Sequence, residues 1–231
     1  MSEEAKAVQE VAKTAGKAIK VSQDMGSFFN RIFGGLLENA VGLLADKLQF
    51  YRAEKTILLY VKLKERLQNK GITNIHPVLP KIGIPLIEQA AIEDNDDLHS
   101  RWANMLTNAM NAEYRSTIKR SYITILTDME PLDVLILDEL AKDYLQRNEE
   151  QKAQLHFPKE KIAHHLKITS EECEISLRNL MRLGCLRPHV INVKAAPGGG
   201  IGILGPGVSL YRDTEEVVLT ALGLDFYHAV N

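Results

Sequence analysis

The chain has 231 residues, with 28 Lys+Arg against 30 Asp+Glu, a formal net charge of -2 and 45% hydrophobic residues. That length suits one large domain or two small ones, and the near-neutral balance argues against a protein held to nucleic acid by a strong overall positive field. Two cysteines, Cys173 and Cys185, exclude a disulfide-rich secreted scaffold and form no Cys-x-x-Cys pair.

The opening MSEEAKAVQE carries two glutamates and no apolar h-region, so no cleaved secretory signal is expected. A weak helix is predicted over Glu3 to Gln23, with Lys13, Lys17 and Lys20 beside an apolar stripe, and Gly26 breaks it. A long second helix is predicted from Phe28 to Asn69, bent at Gly34-Gly35 and stopped by Gly71. Its charges at Arg31, Glu38, Asp46 and Lys47 interrupt the roughly 20 apolar residues that a membrane span needs. Phe33, Leu37, Val41, Leu44 and Leu48 instead recur at helical spacing and form the candidate interaction surface. Such a stripe buries against protein or lies in a membrane interface. Ile57 to Val61 is apolar all round and is expected to be covered on more than one side.

The run NIHPVLPKIGIP reads as a loop, followed by helices at about Pro85 to Glu93, Asp96 to Asn111 and Thr117 to Thr127. The acids at 93–97 fail as a calcium loop, because the sixth and twelfth positions counted from Asp94 are His99 and Met105. Asn95 or Asp96 is the expected N-cap. The only tryptophan, Trp102, shares a helix face with Leu98, Met105, Leu106 and Ala109, which makes it a core anchor. Asn104 and Asn108 stand four apart on another face, placed to hydrogen-bond a neighbouring helix or backbone.

Glu130-Pro131 opens a helix to Gln146, with Leu132, Leu135, Ile136, Leu140 and Leu145 expected inward. A charged loop, RNEEQKAQ, precedes a short helix from Lys159 to Leu166 and a turn at Lys167-Ile168. Thr169 and Glu172 form a capping box for a third helix that stops at Gly184. Strands are predicted from Cys185 and at Val208 to Tyr211, around the glycine-rich AAPGGGIGILGPG; an apolar run at Val217 to Leu219 and a final helix from about Gly223 follow. Three helices and a hairpin in this order suggest a winged helix-turn-helix. The fold class is therefore mainly α: a helical bundle followed by a winged helix-turn-helix-like domain with a small β-hairpin. The expected divisions are an amphipathic arm at 1–27, a helical domain at 28–128 and the winged part at 129–231.

A DNA-reading wing would place Arg178, Arg182, Arg187 and Lys194 on phosphates, the reading of a transcriptional regulator. The leading edge of its third helix is acidic, however, with Glu171, Glu172 and Glu174. Residues 130–231 hold 11 Lys+Arg and 15 Asp+Glu, a balance of -4, while residues 1–129 hold 17 and 15, a balance of +2. The acidic half is the supposed reader, so a protein partner or self-association is favoured over nucleic acid. The glycine-rich stretch matches neither phosphate-binding fingerprint. His164 and His165 point about 100° apart and cannot share a metal, and both are read as surface residues. Cys173 and Cys185 are read as small buried hydrophobes. No catalytic constellation, metal set, cofactor or small-molecule ligand is expected.

Three blocks carry a family resemblance: GGLLENAVGLLADKLQFYRAEK (34–55), PVLPKIGIPLIEQAAIEDNDDLHSRWANMLTNAM (77–110) and ILTDMEPLDVLILDEL (125–140). In order and in wording they resemble the bacterial abortive-infection alpha family, roughly over residues 34–187 and in the closing LTALGLDFYHA. The resemblance implies a role in phage defence, in which an infected cell shuts down or dies before phage spreads. It brings no established catalytic residue or ligand. The expected location is the cytoplasm, with peripheral contact at the inner membrane as the second form.

Overall fold

A computed structural model describes residues 24–33, 50–114, 116–194 and 209–231, with side chains described for 24–33, 55–114, 116–190 and 214–231. The predicted helix over Glu3 to Gln23, the bend at Gly34-Gly35 and the glycine-rich stretch lie outside the described residues. The chain divides into two compact units, Met1–Thr124 with Ala229–Asn231, and Ile125–His228. Among the described residues no helix is long and apolar enough to cross a membrane.

In the first unit a helical stretch at 24–32 precedes α1 (Phe50–Asn69), α2 (Pro80–Ala90) and α3 (Asp96–Met110). α4 (Arg120–Thr127) begins in the same unit. Gly26 lies inside the first helical stretch and does not break it. The aromatic side chains around it supply the reason: Phe28 and Phe29 are both buried, and Phe28 meets Tyr60 of α1 edge-on at 5.2 Å. That burial outweighs the roughly 1 kcal/mol that glycine costs within a helix. α1 stops as expected at Gly71, whose φ of +63° L-residues rarely adopt, with Ile72 N donating to the Leu67 carbonyl.

α2 begins five residues earlier than predicted, at Pro80, and Pro85 lies within it. Pro80 occupies the first turn, where a missing N–H costs nothing, and Pro85 forgoes one bond in the second turn. Burial of Ile82, Leu86 and Ile87 offsets that loss. Ile57 and Val61, expected to be covered, are each 41% exposed, whereas Leu59, Tyr60 and Leu63 are buried; α1 has one core face. α3 packs against both α1 and α2. Its core side chains Trp102, Met105 and Leu106 are essentially inaccessible, so Trp102 is the anchor its spacing indicated. Asn95 caps α3 through its side chain, accepting from Asp97 N and Leu98 N.

The second unit runs α5 (Pro131–Gln146), α6 (Glu149–Ala153), β1 (Phe157–Pro158), α7 (Lys159–Leu166), α8 (Ser170–Arg182), β2 (Leu186–Lys194), β3 (Ser209–Leu219) and α9 (Ala221–Val230), the last ending in the first unit. The strands form one small antiparallel sheet in the order β1-β3-β2. β2 and β3 make the expected hairpin, from Leu186 opposite Leu219 to Lys194 opposite Ser209. β3 runs without a break from Ser209 through the charged RDTEE segment to Leu219, where the sequence suggests two separate apolar runs. β1 was not foreseen: two residues show no alternation, and Pro158 suits only an edge strand, which is where it lies. α6 forms inside the charged loop, where Asn148 and Gln151 cap one another reciprocally.

α5 keeps its predicted bounds and only part of its predicted face. Ile136 and Leu140 are buried as predicted, but Leu135 and Leu145 are 46% and 42% exposed, and Val134, Leu137 and Ala141 are buried in their place. Asp133 accounts for the shift. It is buried and accepts from Ser176 Oγ, from Asn179 Nδ2 at 2.7 Å and from Glu130 N at 2.9 Å. A buried carboxylate requires such donors, so its face must turn toward α8. α8 itself starts at the predicted capping box, with Glu172 N donating to Thr169 Oγ1 and Thr169 N to Glu172 Oε2. Gly184, at φ +76°, follows its end.

Candidate functional site

Of the candidate interaction surface, only Phe33 is described; Leu37, Val41, Leu44 and Leu48 lie outside the described residues. Phe33 is 1% exposed and therefore belongs to the core, not to a surface. Its ring lies against Gly83 of α2 so closely that a Cβ there would overlap it. The helical spacing of the stripe could not reveal this, since a side chain aimed at a partner and one aimed at the core share the same period.

The four cations of the DNA-binding alternative are dispersed or engaged. Arg178 pairs with Glu174 at 2.7 Å, and Arg182 pairs with Asp128 at 3.1 Å. Arg187 is exposed on β2; the Lys194 backbone pairs with Ser209, and its side chain lies outside the described residues. Glu174 also receives Lys159, which reaches Glu215 as well, each at 3.1 Å. Ile175, in the middle of the same helix, is 64% exposed.

A polar seam in the first unit emerges between α1 and α3. Lys62 Nζ reaches His99 Nδ1 at 3.1 Å, Ser100 Oγ at 3.0 Å and the Asp96 carbonyl. Arg66 donates to Asn104 Oδ1 and to the carbonyls of Lys62 and Ser100, and Lys70 donates to Asn108 Oδ1. On their other side, Asn104 Nδ2 and Asn108 Nδ2 donate to the carbonyls of Val230 and Ala229 at 2.9 and 3.0 Å. These are orphan carbonyls at the end of α9, so the two asparagines serve a neighbouring helix and free backbone together. Burial pushes the side-chain ionisations of Lys62, Arg66 and Lys70 below their ordinary values.

His99 is fully buried at the head of this seam, its Nε2 lying 3.3 Å from the Lys55 carbonyl. Burial, and then the Lys62 charge, push its pKa down to about 4. The imidazole is therefore neutral. Nε2–H donates to the carbonyl and Nδ1 accepts from the ammonium, the only tautomer that satisfies both contacts. Sequence inspection missed His99 as a buried group, because it stands beside an acidic run that reads as a solvated helix start.

In the second unit, His156, His189 and Glu216 meet across the three strands. Both imidazoles bring Nδ1 to 2.9 Å from Glu216 Oε2. The two rings stack at 4.5 Å between centroids and 2° between planes. His189 sits at the irregularity in β2 between Pro188 and Val190, and Thr214 Oγ1 donates to its carbonyl at 2.6 Å. Glu216 pairs in register with Pro158, two residues beyond His156. This is a set of side chains able to hold a metal ion. His164 and His165 are exposed as expected and take no part in it. Cys173 and Cys185 are buried free thiols, as expected, and burial pushes Cys185 up to about 12, out of the range of a nucleophile or a redox sensor.

Residues 54–230 match the family described as abortive infection alpha, well over half of the chain. The chain belongs to that family. The match takes in the seam, Trp102 and the His156–His189–Glu216 cluster, together with the second and third blocks of the resemblance. The first block, at 34–55, falls almost wholly outside it. No curated protein and no solved structure shows detectable similarity to the chain.

Proposed function

We propose that this abortive infection alpha protein acts in phage defence without catalysis, through contact with a protein partner or a second copy of itself, in the cytoplasm. The observation that carries the reading is membership of the family over residues 54–230. Its exposed apolar side chains support a protein contact: Ile57 and Val61 stand one turn apart on α1, and Ile175 projects from α8. Peripheral contact with a membrane is the second form of the same reading, resting on the helical spacing of Leu37, Val41, Leu44 and Leu48 in the sequence.

The second unit is read as a winged helix-turn-helix used for protein binding. The succession α5-α6-β1-α7-α8-β2-β3, with the sheet order β1-β3-β2, supports it. So does the charge of -4 over residues 130–231, from 11 Lys+Arg and 15 Asp+Glu. With Arg178 and Arg182 committed to carboxylates, α8 presents Ile175 among acids, which suits a protein surface and repels phosphate.

The test is a phage-plating assay on cells expressing the protein, with host viability followed at low and high infection multiplicity. The expected result is protection of the population at low multiplicity together with loss of infected cells at high multiplicity. An Ile57→Asp, Val61→Asp variant is expected to abolish protection at unchanged expression. No effect of the wild-type chain across a broad phage panel would overturn the reading.

A further inference from the structure

We propose that His156, His189 and Glu216 form a binding site for one divalent transition-metal ion of the zinc class. Two imidazole nitrogens directed at one carboxylate oxygen, each at 2.9 Å, place two nitrogens and one oxygen around a common point. All three ligand atoms lie within 4.8 Å of one another. The donors come from three places along the chain: the residue before β1, the irregularity in β2 and the part of β3 that pairs with β1. Strand pairing positions them.

The donor set selects the metal. Neutral imidazole with one carboxylate suits zinc and its first-row neighbours, whereas calcium and magnesium require shells built from oxygen. A tetrahedral ion at about 2.0–2.2 Å from each ligand holds its donors roughly 3.3 Å apart, so the two contacts to Glu216 need widen by only about 0.4 Å. The rings themselves must tilt, because two parallel stacked planes cannot both contain one ion. His156 has room to do so. Its side chain is 41% exposed and lines a cavity of about 940 Å³ beside α5 and α7. In the bound state each ring carries its remaining proton on Nε2 and ligates through Nδ1. Three protein ligands leave the fourth position to water, the arrangement of an open zinc site. The ion would tie the connector before β1 to the hairpin.

The full chain, stripped with chelator and dialysed, would be titrated with Co²⁺ while visible absorption is followed, and then with Zn²⁺ in competition. The expected result is one equivalent of Co²⁺ with tetrahedral-type bands, displaced by Zn²⁺, and a zinc-dependent rise in Tm. His156→Ala and Glu216→Gln, both at partly exposed side chains, are expected to weaken binding at least tenfold while keeping the far-ultraviolet circular dichroism of the wild type. His164→Ala is expected to bind normally. Absence of stoichiometric binding, or binding unchanged in His156→Ala and Glu216→Gln, would show a hydrogen-bonded cluster only and overturn the proposal. These measurements use purified protein, so their outcome stands apart from that of the plating assay.

Discussion

Acid should weaken the first unit through a single imidazole. His99 ionises near 6.5 in an unfolded chain and at about 4 in the folded one. A base with a lowered folded pKa contributes its full stability above pH 6.5 and loses it as pH falls toward 4, because the unfolded chain takes up the proton first. The gap is worth roughly 3 kcal/mol in all, of which about 1.4 kcal/mol is gone by pH 5.5. The structural cause is plain: protonation would place a second positive charge 3.1 Å from Lys62 Nζ, on a ring that is itself fully buried. Trp102, three residues along the same helix and the only tryptophan, reports the unfolding of this unit. Urea unfolding would be followed by its fluorescence at several pH values from 7.5 to 4.5, for wild type and for His99→Gln. Glutamine can donate to the Lys55 carbonyl and accept from Lys62 but cannot titrate. The wild-type stability should fall relative to the variant by the amounts above, since other groups titrate alike in both. Parallel profiles for the two proteins would refute the argument, as would a His99 proton resonance titrating near 6.5 in the native state.

In the second unit, Gly223→Ala should destabilise by about 2 kcal/mol: an added Cβ would overlap the Cys185 carbonyl oxygen and lie 2.9 Å from its carbon, and backbone cannot yield as a side chain can. Helix propensity opposes this by only about 1 kcal/mol, so a thermal scan showing equal or higher Tm would count against the packing. Thr169→Ala should cost about 1 kcal/mol through loss of the cap at Glu172 N, with Thr169→Ser restoring most of it; equal urea midpoints for all three proteins would contradict the cap.

Local signals carried a large part of the fold. The capping box at Thr169 and Glu172, the stop at Gly71, the bounds of α5 and the anchor Trp102 were all legible, because each depends on neighbours within a turn of helix. Faces were less legible than lengths. Leu135 and Ile136 are equally apolar, and only the demand of buried Asp133 for donors on α8 decides which of them points inward. Phe33 is a similar case, resolved by its close approach to Gly83, fifty positions away.

The sequence by itself determined that the chain is mainly helical and divided in its charge, and it carried the words of its family across the middle of the molecule. Tertiary structure alone decided which polar residues meet. Lys62 and His99 are 37 positions apart, and His156, His189 and Glu216 are spread over 60, so no spacing rule joins them. Periodicity describes one element at a time. Desolvation, a shared carboxylate oxygen and the pairing of strands arise only when distant elements pack, and those are what make His99 neutral and bring two imidazoles onto one glutamate.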